Sequence, residues 1–333
     1  MLLNLDTLKK ITFGICDLKE EDGYFNFYRF TDEEMKIYED SGNTDFFEKA
    51  FSTSGVRLSF ETDATSIELE YKLEGASSRK FSFFDVFVNG ELLSTFGEEE
   101  RSGKLKKNIV ELPGGVKHLE VYFPWSASAK IKSVNLLGKI VRPMPRKYKT
   151  IAYGDSITQG YDARHPSCSY VSRVARELSM DVIDKGIGGE HFYPPLAKAH
   201  PSCDVDLITV AYGTNDWSHK TLSEFRKNCA EFLKALRSAY PCVKICVITP
   251  IWRGDFNQKT PMEIEHRDVH SEIYNIVKDI PDIKLICGMD FVPHDKKYYA
   301  DEKVLHPNDE GFAYYASELV KELSRLSHLG ITE

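Results

Sequence analysis

Residues 150–160 read Thr150-Ile151-Ala152-Tyr153-Gly154-Asp155-Ser156-Ile157-Thr158-Gln159-Gly160. The first four are typical of a buried strand, and the glycine after them opens a turn. The segment therefore predicts Ser156 just past the carboxyl end of a strand, where the next helix begins. In parallel α/β sheets ligands bind at this edge, and the field of a helix start suits a nucleophilic hydroxyl. The alternative for a serine in this place is a helix cap, which is the commoner role when the motif is taken alone.

The rest of this half alternates strand and helix patterns. Apolar runs at 207–212, 243–248 and 283–287 are typical of buried strands. Between them, apolar residues from Leu222 to Leu236 recur at spacings of three and four, and a last helix is predicted at 312–326. This alternation predicts a mostly parallel sheet covered on both faces.

Two further strand ends carry polar or glycine-rich motifs. Residues 182–190 read Val-Ile-Asp-Lys-Gly-Ile-Gly-Gly-Glu, and their glycines let a backbone N–H approach a ligand, as an oxyanion site requires. A plain tight turn explains them almost as well. In the segment 210–216, Val-Ala-Tyr-Gly-Thr-Asn-Asp, Asn215 follows a buried strand and can aim its amide at the same edge. Capping a helix is the alternative for Asn215.

His306 differs from the other histidines because Pro307 fixes its loop and Asn308 or Asp309 can cap the last helix. The imidazole is thus expected at a defined place on the sheet edge. A general base must lie within hydrogen-bond reach of its serine, and a third group must orient its ring.

Taken in this order, Gly154-Asp155-Ser156, the glycine turn, Gly213-Thr214-Asn215-Asp216 and His306-Pro307-Asn308 resemble the sequence blocks of the SGNH (GDSL-type) hydrolases. The resemblance covers residues 148–326. It implies a flavodoxin-like three-layer α/β/α domain that hydrolyses acyl esters without a metal or an organic cofactor. It also implies roles for five residues: Ser156 as nucleophile, His306 as base, Ser156, Gly189 and Asn215 as the oxyanion hole, and Asp155 as a substrate contact.

One position departs from the family pattern. The family usually places an aspartate three residues before the histidine, but here that position is Lys303. The segment 299–306 is predicted to hold extra loop residues, so that Asp301 curls back to the imidazole. Glu302, Asp295 and a backbone carbonyl are the alternatives, since a carbonyl can supply part of the ring orientation.

The first 140 residues show a different pattern. Apolar residues alternate with polar ones at 56–61, 67–73 and 119–123, and Asn89-Gly90 marks a tight hairpin. With almost no helical period, this half predicts a jelly-roll-like β-sandwich, residues 1–142. Residues 143–147, with two prolines, form the predicted linker to a hydrolase domain at 148–333. This architecture resembles that of two-domain carbohydrate acetylesterases.

Composition narrows the function classes. The 333 residues include 51 acidic and 43 basic side chains, a net charge of −8, with no basic block for a phosphate backbone. Nucleic acid is therefore not an expected partner. No apolar run is long enough to span a bilayer, and residues 1–14 lack a secretion-signal layout, which predicts a cytoplasmic protein with no membrane partner. Seven cysteines without a C-x-x-C pair predict buried thiols rather than a disulfide or zinc framework.

The sequence supports three functional hypotheses. The leading one is a serine esterase that removes short acyl groups, most simply acetyl, from carbohydrate hydroxyls. The second keeps the site but makes it an acyltransferase, thioesterase or lipase for longer chains. The third is a carbohydrate-binding protein with a decayed site. Aromatic rings stack on sugars, so Trp217 and Trp252 are predicted substrate contacts, together with His191 beside the glycine turn.

Overall fold

The computed structural model describes residues 1–199 and 204–326. Within them the helices are α1 (Leu5–Ile11), α2 (Asp32–Asp40), α3 (Thr44–Ala50), α4 (Ser156–Gln159), α5 (Tyr170–Glu177), α6 (Pro194–Ala197), α7 (Thr214–His219), α8 (Leu222–Ala239), α9 (Val269–Val277) and α10 (Asp309–Ser324). The strands are β1 (Thr12–Phe13), β2 (Asp17–Glu21), β3 (Tyr24–Tyr28), β4 (Arg57–Thr62), β5 (Ser66–Gly75), β6 (Ser82–Val88), β7 (Glu91–Glu98), β8 (Lys106–Glu111), β9 (Lys117–Tyr122), β10 (Ala127–Leu136), β11 (Arg142–Pro143), β12 (Tyr148–Gly154), β13 (Met180–Gly186), β14 (Leu207–Ala211), β15 (Lys244–Ile248) and β16 (Ile283–Ile286).

The last five strands form one parallel sheet in the order β13-β12-β14-β15-β16. Counted along the chain this is the order 2-1-3-4-5, which is that of flavodoxin-like sheets. Alternate side chains of β12 enter different cores: Ile151 packs with residues of α8 and α9, whereas Ala152 packs with residues of α5 and α10. The sheet is therefore covered by helices on both faces. This is expected for parallel strands whose two faces are both apolar.

The strands predicted for residues 150 to 287 are present, with ends that differ by a few residues. The helical pattern from Leu222 corresponds to α8, which begins at a capping box formed by Thr221 and Glu224. The last helix begins at Asp309, three residues before the predicted start, because Asn308 accepts hydrogen bonds from the N–H groups of Glu310 and Gly311.

The first part of the chain forms two antiparallel sheets. One has the strand order β1-β4-β9-β6-β7, with β11 also paired to β4, and the other has the order β2-β3-β10-β5-β8. Their apolar side chains share a single core, in which Leu58 and Val121 of the first sheet pack with Leu69 and Ile131 of the second. The predicted hairpin turn is present, with positive φ at Asn89 (51°) and Gly90 (87°).

The expectation of almost no helix in this part is wrong, because α1, α2 and α3 lie within its first 50 residues. Helix α2 begins at a capping box in which Thr31 and Glu34 exchange side-chain and backbone hydrogen bonds. Tyr38 of α2 and Ala50, the last residue of α3, are buried, and both belong to the core of the parallel sheet rather than to the core of the antiparallel sheets.

Buried ion pairs also connect the two parts of the chain. The guanidinium of Arg29 lies 3.8 Å from the carboxylate of Asp184 on β13, and both side chains have no exposed surface. Lys185, the next residue, pairs with Glu34 of α2, and these side chains are equally buried. Since isolated buried charges are very costly, each of these four groups depends on a partner from the other part.

None of the six cysteines that the structure describes forms a disulfide. Cys229 and Cys246 are buried as predicted, whereas Cys242 and Cys287 are exposed. Cys203 lies outside the described residues. No described helix has the length and apolar content needed to cross a membrane.

Candidate active site

The motif segments meet at the carboxyl edge of the parallel sheet. Gly154, the last residue of β12, is paired with Gly186 of β13 and with Ala211 of β14. The serine segment, the glycine turn and the asparagine segment therefore leave the sheet from three directly adjacent positions. This arrangement follows from parallel strands in register, and it is what the three strand-end motifs predicted.

Ser156 is the first residue of the short helix α4. The Asp155 side chain caps this helix by accepting a hydrogen bond from the Ile157 N–H at 2.9 Å. The helix ends at Gly160, whose φ of 95° lies in the left-handed region. These two caps fix the serine at the edge, where it is 6 % exposed. The His306 Nε2 atom lies 2.9 Å from its Oγ, within hydrogen-bond distance.

The loop before His306 is built around Asp301. One carboxylate oxygen of Asp301 accepts a hydrogen bond from the Leu305 N–H at 3.2 Å, and the other accepts one from the His306 N–H at 2.7 Å. Val304 adopts a φ of 55°, which is unusual for a β-branched residue and tightens the loop. Asp301 thus curls back toward the imidazole, although Lys303 occupies the family's usual position.

Two carboxylates face the second nitrogen of the imidazole. The Nδ1 atom of His306 lies 3.2 Å from Asp301 and 3.0 Å from Asp162. Both distances are those of an ion pair, although neither contact has the near-linear geometry of a hydrogen bond. Asp162 did not emerge from the sequence, because it follows the serine motif in a loop with no recognisable pattern. Its φ of 68° shows a residue held in the left-handed region.

The other acids considered for this position lie elsewhere. The Asp295 side chain accepts a hydrogen bond from the Lys297 N–H at the start of a 3₁₀ turn. Glu302 is exposed. Neither forms an ion pair with His306, whose Nδ1 contacts among the described residues are Asp162 and Asp301.

The electrostatics of the site favour a charged imidazole. Burial lowers the pKa of His306, but Asp162 and Asp301 outweigh this effect and raise the pKa above its ordinary value of 6.5. Burial also raises the pKa of Asp162, but hydrogen bonds from Arg79 and the charge of His306 hold that pKa well below its usual range. The two acids are therefore ionised and stabilise the imidazolium.

Each of the predicted oxyanion groups has a hydrogen-bond donor that is not used up by other groups of the described residues. Gly189 is exposed and adopts a φ of 90°, so its turn needs a glycine. Its N–H and that of Ser156 donate to no other group among the described residues. The Asn215 amide donates one hydrogen bond to the Glu190 carbonyl at 2.9 Å, which fixes the amide and leaves its second hydrogen available.

Buried side chains stabilise the glycine turn. The Glu190 carboxylate accepts hydrogen bonds at 2.7 Å from the hydroxyls of Tyr38 and Tyr212. Burial raises the pKa of Glu190 to about 8. In addition, the Lys49 ammonium donates to the Gly188 carbonyl at 2.8 Å. Because Tyr38 and Lys49 belong to α2 and α3, helices of the N-terminal part position this turn.

Two of the predicted substrate contacts, Trp217 and Asp155, are buried. Trp217 has no exposed surface, since its indole N–H donates to the Ile264 carbonyl at 2.9 Å and its ring packs in the core. Asn215 and Trp217 are two residues apart on α7, so they point to different sides of the helix. Asp155 is also buried and caps α4 instead of facing a ligand.

Trp252 and His191 remain partly exposed. Trp252 stacks on His294 with ring centroids 5.0 Å apart, and Tyr299 packs against it edge to face. The turn that follows Trp252 contacts the histidine loop, because the Gly254 N–H donates to the Val304 carbonyl at 2.9 Å. Burial lowers the pKa of His191 to about 4, so its ring is neutral near pH 7.

Asp162, Asp301 and His306 also offer three ligand atoms within 4.8 Å of one another. However, the Arg79 guanidinium already bonds both oxygens of Asp162, at 2.5 and 2.7 Å. A cation therefore already lies against this carboxylate, and the Nδ1 atom of His306 forms ion pairs with both acids. The donor set fits an orienting network for the imidazole better than a metal centre.

The comparisons with known proteins agree with this geometry. Residues 152–314 match the model of the GDSL-like Lipase/Acylhydrolase family. The resemblance to the SGNH (GDSL-type) hydrolases is thus confirmed, and the protein is a carboxylic ester hydrolase of that type. No curated protein sequence matches the chain.

Several solved structures share the fold at low identity. The salicylyl-acyltransferase SsfX3 from a tetracycline biosynthetic pathway has a TM-score of 0.83 and 21 % identity, with 96 % of this chain and 95 % of that chain covered. A family two carbohydrate esterase from Cellvibrio japonicus gives 0.68 and 17 %, with 97 % and 96 % covered. The acetyl xylan esterase Est2A from the rumen bacterium Butyrivibrio proteoclasticus gives 0.62 and 17 %, with 84 % and 90 % covered.

Proposed function

We propose that this protein is a serine esterase that removes short acyl groups, acetyl first among them, from carbohydrate hydroxyls. The observation that carries the proposal is the 2.9 Å contact between His306 Nε2 and Ser156 Oγ, with two carboxylates on the far side of the ring. A serine, a base and an orienting acid in this order make an activated nucleophile.

In the proposed reaction, His306 Nε2 accepts the Ser156 proton while Oγ attacks the ester carbonyl. The oxyanion that forms is bound by the N–H groups of Ser156 and Gly189 and by the free amide hydrogen of Asn215. When the intermediate collapses, the imidazolium returns the proton to the leaving sugar alcohol. Water, activated by the same imidazole, then hydrolyses the acyl-enzyme and releases the carboxylic acid.

The choice of a small acyl group and a sugar has structural support of its own. Ser156 is only 6 % exposed, which favours a short acyl group over a long chain. Beside the histidine loop, Trp252 and the exposed ring of Phe256 give an aromatic surface of the kind that stacks on sugar faces. Two of the structurally similar proteins are described as a carbohydrate esterase and an acetyl xylan esterase.

The decisive experiment compares Ser156→Ala with the control variant Ser172→Ala. Ser172 is a buried residue of α5 that lies outside the site. Hydrolysis of p-nitrophenyl acetate is expected to be abolished in the first variant and kept in the second. A fluorophosphonate is expected to label wild-type Ser156 covalently, as peptide mass spectrometry would show. An unreactive serine would instead favour a carbohydrate-binding protein with a decayed site.

Substrate range is tested with acetylated xylan, mannan and amino-sugar oligosaccharides, with acetate release as the readout. We expect the rate of hydrolysis to fall steeply as the acyl chain of the p-nitrophenyl ester is lengthened from C2 to C8. A maximum at C8 would point to a lipase or a thioesterase.

An acyltransferase is the second candidate, since the similar structure with a TM-score of 0.83 is described as an acyltransferase. The same acyl-enzyme would then react with an acceptor alcohol in place of water. Added sugar alcohols that compete with water for the acyl group, without loss of total turnover, would favour this alternative.

We also propose that the chain comprises two domains, residues 1–142 and 148–333, as its sequence indicates. In this proposal the two antiparallel sheets with their common core form a jelly-roll-like β-sandwich. Helices α2 and α3 then belong to the first domain in sequence but pack on the core of the second.

A further inference from the structure

Arg79 lies in the loop between β5 and β6, in the N-terminal part of the chain, yet it reaches the hydrolase site. Its Nε and Nη2 atoms donate hydrogen bonds at 2.5 and 2.7 Å to the two oxygens of Asp162. The oxygen bound by Nη2 is also the one that lies 3.0 Å from His306 Nδ1. A continuous series of contacts therefore joins Arg79, Asp162, His306 and Ser156.

The same guanidinium also contacts the other neighbour of the imidazole. Its carbon lies 5.5 Å from the ring centroid of Tyr161, a cation–π contact. The Tyr161 ring packs on the His306 ring with centroids 5.5 Å apart. In addition, the Ser78 N–H donates to the Tyr161 hydroxyl at 3.3 Å. The loop that carries Arg79 thus supports the imidazole from the carboxylate side and from the ring face.

Hydrogen bonds across the boundary hold this loop against the serine segment. The side-chain amide of Gln159 donates to the carbonyls of Ala76 and Trp125, both at 3.2 Å. The Trp125 indole N–H donates to the Ala163 carbonyl at 2.8 Å. Because these bonds flank Arg79 on one side and Asp162 on the other, the two side chains meet in a fixed geometry.

We propose that Arg79 is a positioning residue for ester hydrolysis, so that the N-terminal part of the chain completes the catalytic site. The planar fork of a guanidinium fixes both oxygens of a carboxylate, which a lysine cannot do. Asp162 needs such a partner because its backbone lies in the left-handed region, a conformation that persists only where its surroundings hold it. Arg79 thereby aims Asp162 at Nδ1 and fixes the ring that activates Ser156.

This inference rests on the proposed esterase function, and its test is the kinetics of Arg79→Ala on p-nitrophenyl acetate. We expect kcat to fall about tenfold to 10²-fold with KM nearly unchanged, because a small displacement of a catalytic group has effects of this size. Arg79→Lys, which keeps the charge but loses the fork, should recover only part of the rate.

Arg164→Ala is the matched control. Arg164 pairs with Glu99 and lies over the rings of Phe81 and Phe83, so it joins the same two parts of the chain without contacting Asp162. We expect this variant to keep nearly the wild-type rate. An equal loss in both variants would mean that Arg79 only holds the two parts together, and it would overturn the proposal.

A double-mutant cycle tests whether Arg79 acts through Asp162. In an Asp162→Asn background, Arg79→Ala should cost less than about twofold more, because the carboxylate it orients is already gone. A full additional loss, an unchanged kcat in Arg79→Ala, or an effect confined to KM would each refute the positioning role. Thermal unfolding followed by circular dichroism shows whether each variant is folded, and Arg79→Gln carries the same test if the alanine variant is not.

The activity of Ser156→Ala distinguishes a failure of the proposed esterase function from a failure of the proposed role of Arg79. If Ser156→Ala keeps its activity, the proposed function itself fails. If Ser156→Ala is inactive while Arg79→Ala is normal, only the role of Arg79 fails.

Discussion

Because two carboxylates face Nδ1 of His306, we predict that Asp162 and Asp301 share the task of orienting the imidazole. Asp162→Asn and Asp301→Asn each remove one negative charge and keep one of the two side-chain oxygens that accept hydrogen bonds from the existing donors. In Asp162 these donors belong to Arg79, and in Asp301 they are the N–H groups of the histidine loop. The substitutions are therefore nearly isosteric, and they change the charge that faces Nδ1 more than the local fold.

The distances set the expected size of the effect. With an effective dielectric constant of about 20, an imidazolium and a carboxylate attract by roughly 5.5 kcal/mol at 3.0 Å and roughly 5 kcal/mol at 3.2 Å. The two acids thus contribute similar attraction energies. Asp162 attracts the imidazolium slightly more strongly because it is closer, but the neighbouring guanidinium of Arg79 offsets part of this difference. Loss of the only acid in a serine triad typically costs about 10⁴ in kcat. Shared equally, this gives about 10² for each single variant and about 10⁴ for the double variant.

The assay is kcat and kcat/KM for p-nitrophenyl acetate, measured above the pH at which the wild-type rate reaches its plateau. Urea denaturation checks that the variants are as stable as the wild type. A loss of about 10⁴ in one single variant, with no effect in the other, would refute shared orientation and assign the role to one acid. A double variant no slower than either single variant would refute it as well.

Four further outcomes are expected. The acid limb of the kcat/KM profile should lie above pH 6.5, because the neutral imidazole is the active base and the two acids raise the pKa of His306. In Asp162→Asn this limb should move to lower pH, and a limb that does not move would contradict the assignment of His306 and Asp162. Asn215→Ala should lower kcat by about 10²–10³ in steady-state assays, as loss of one oxyanion donor does, whereas a change in KM alone would argue against that role. Trp217→Ala should reduce the free energy of unfolding by about 3–5 kcal/mol in urea titrations, and a stable variant with altered sugar binding would contradict its place in the core. Trp252→Ala should raise KM for acetylated oligosaccharides but not for p-nitrophenyl acetate, and equal changes on both substrates would remove the stacking role.

The sequence predicted those parts of the site that depend on strand ends. Gly189 and Asn215 follow parallel strands whose ends lie at the same edge of the sheet as Ser156, so periodicity predicted their edge, and the family resemblance implied their role. The position of His306 was predictable because the proline and the cap after it tie its loop to the start of the last helix. The contact between Nε2 and Oγ joins residues 150 positions apart, and the resemblance to the SGNH hydrolases implied this pairing rather than any local rule.

Groups that depend on tertiary packing were not predictable in the same way. Asp162 and Arg79 lie in irregular loops, and only the docking of the two parts of the chain brings them together. Closeness in sequence to Asn215 does not bring Trp217 to the sheet edge, because a helix turns residues two positions apart to different sides, and the Trp217 ring is buried in the core. Helix α2 did carry a local signal, the Thr31 and Glu34 capping box, that a search for strand alternation overlooks.

The buried contacts between the two parts of the chain explain why the N-terminal part matters for chemistry. Lys185 has no exposed surface, and its partner Glu34 comes from α2, so separating the parts would leave a buried ammonium uncompensated. From the same helix, the Tyr38 hydroxyl binds Glu190 and thereby holds the oxyanion turn. Arg79 reaches the opposite side of the site, at the acid that faces the imidazole. If Gly189 and His306 act as proposed, the N-terminal part supports both the oxyanion side and the base side through the same contacts that bind it to the hydrolase sheet.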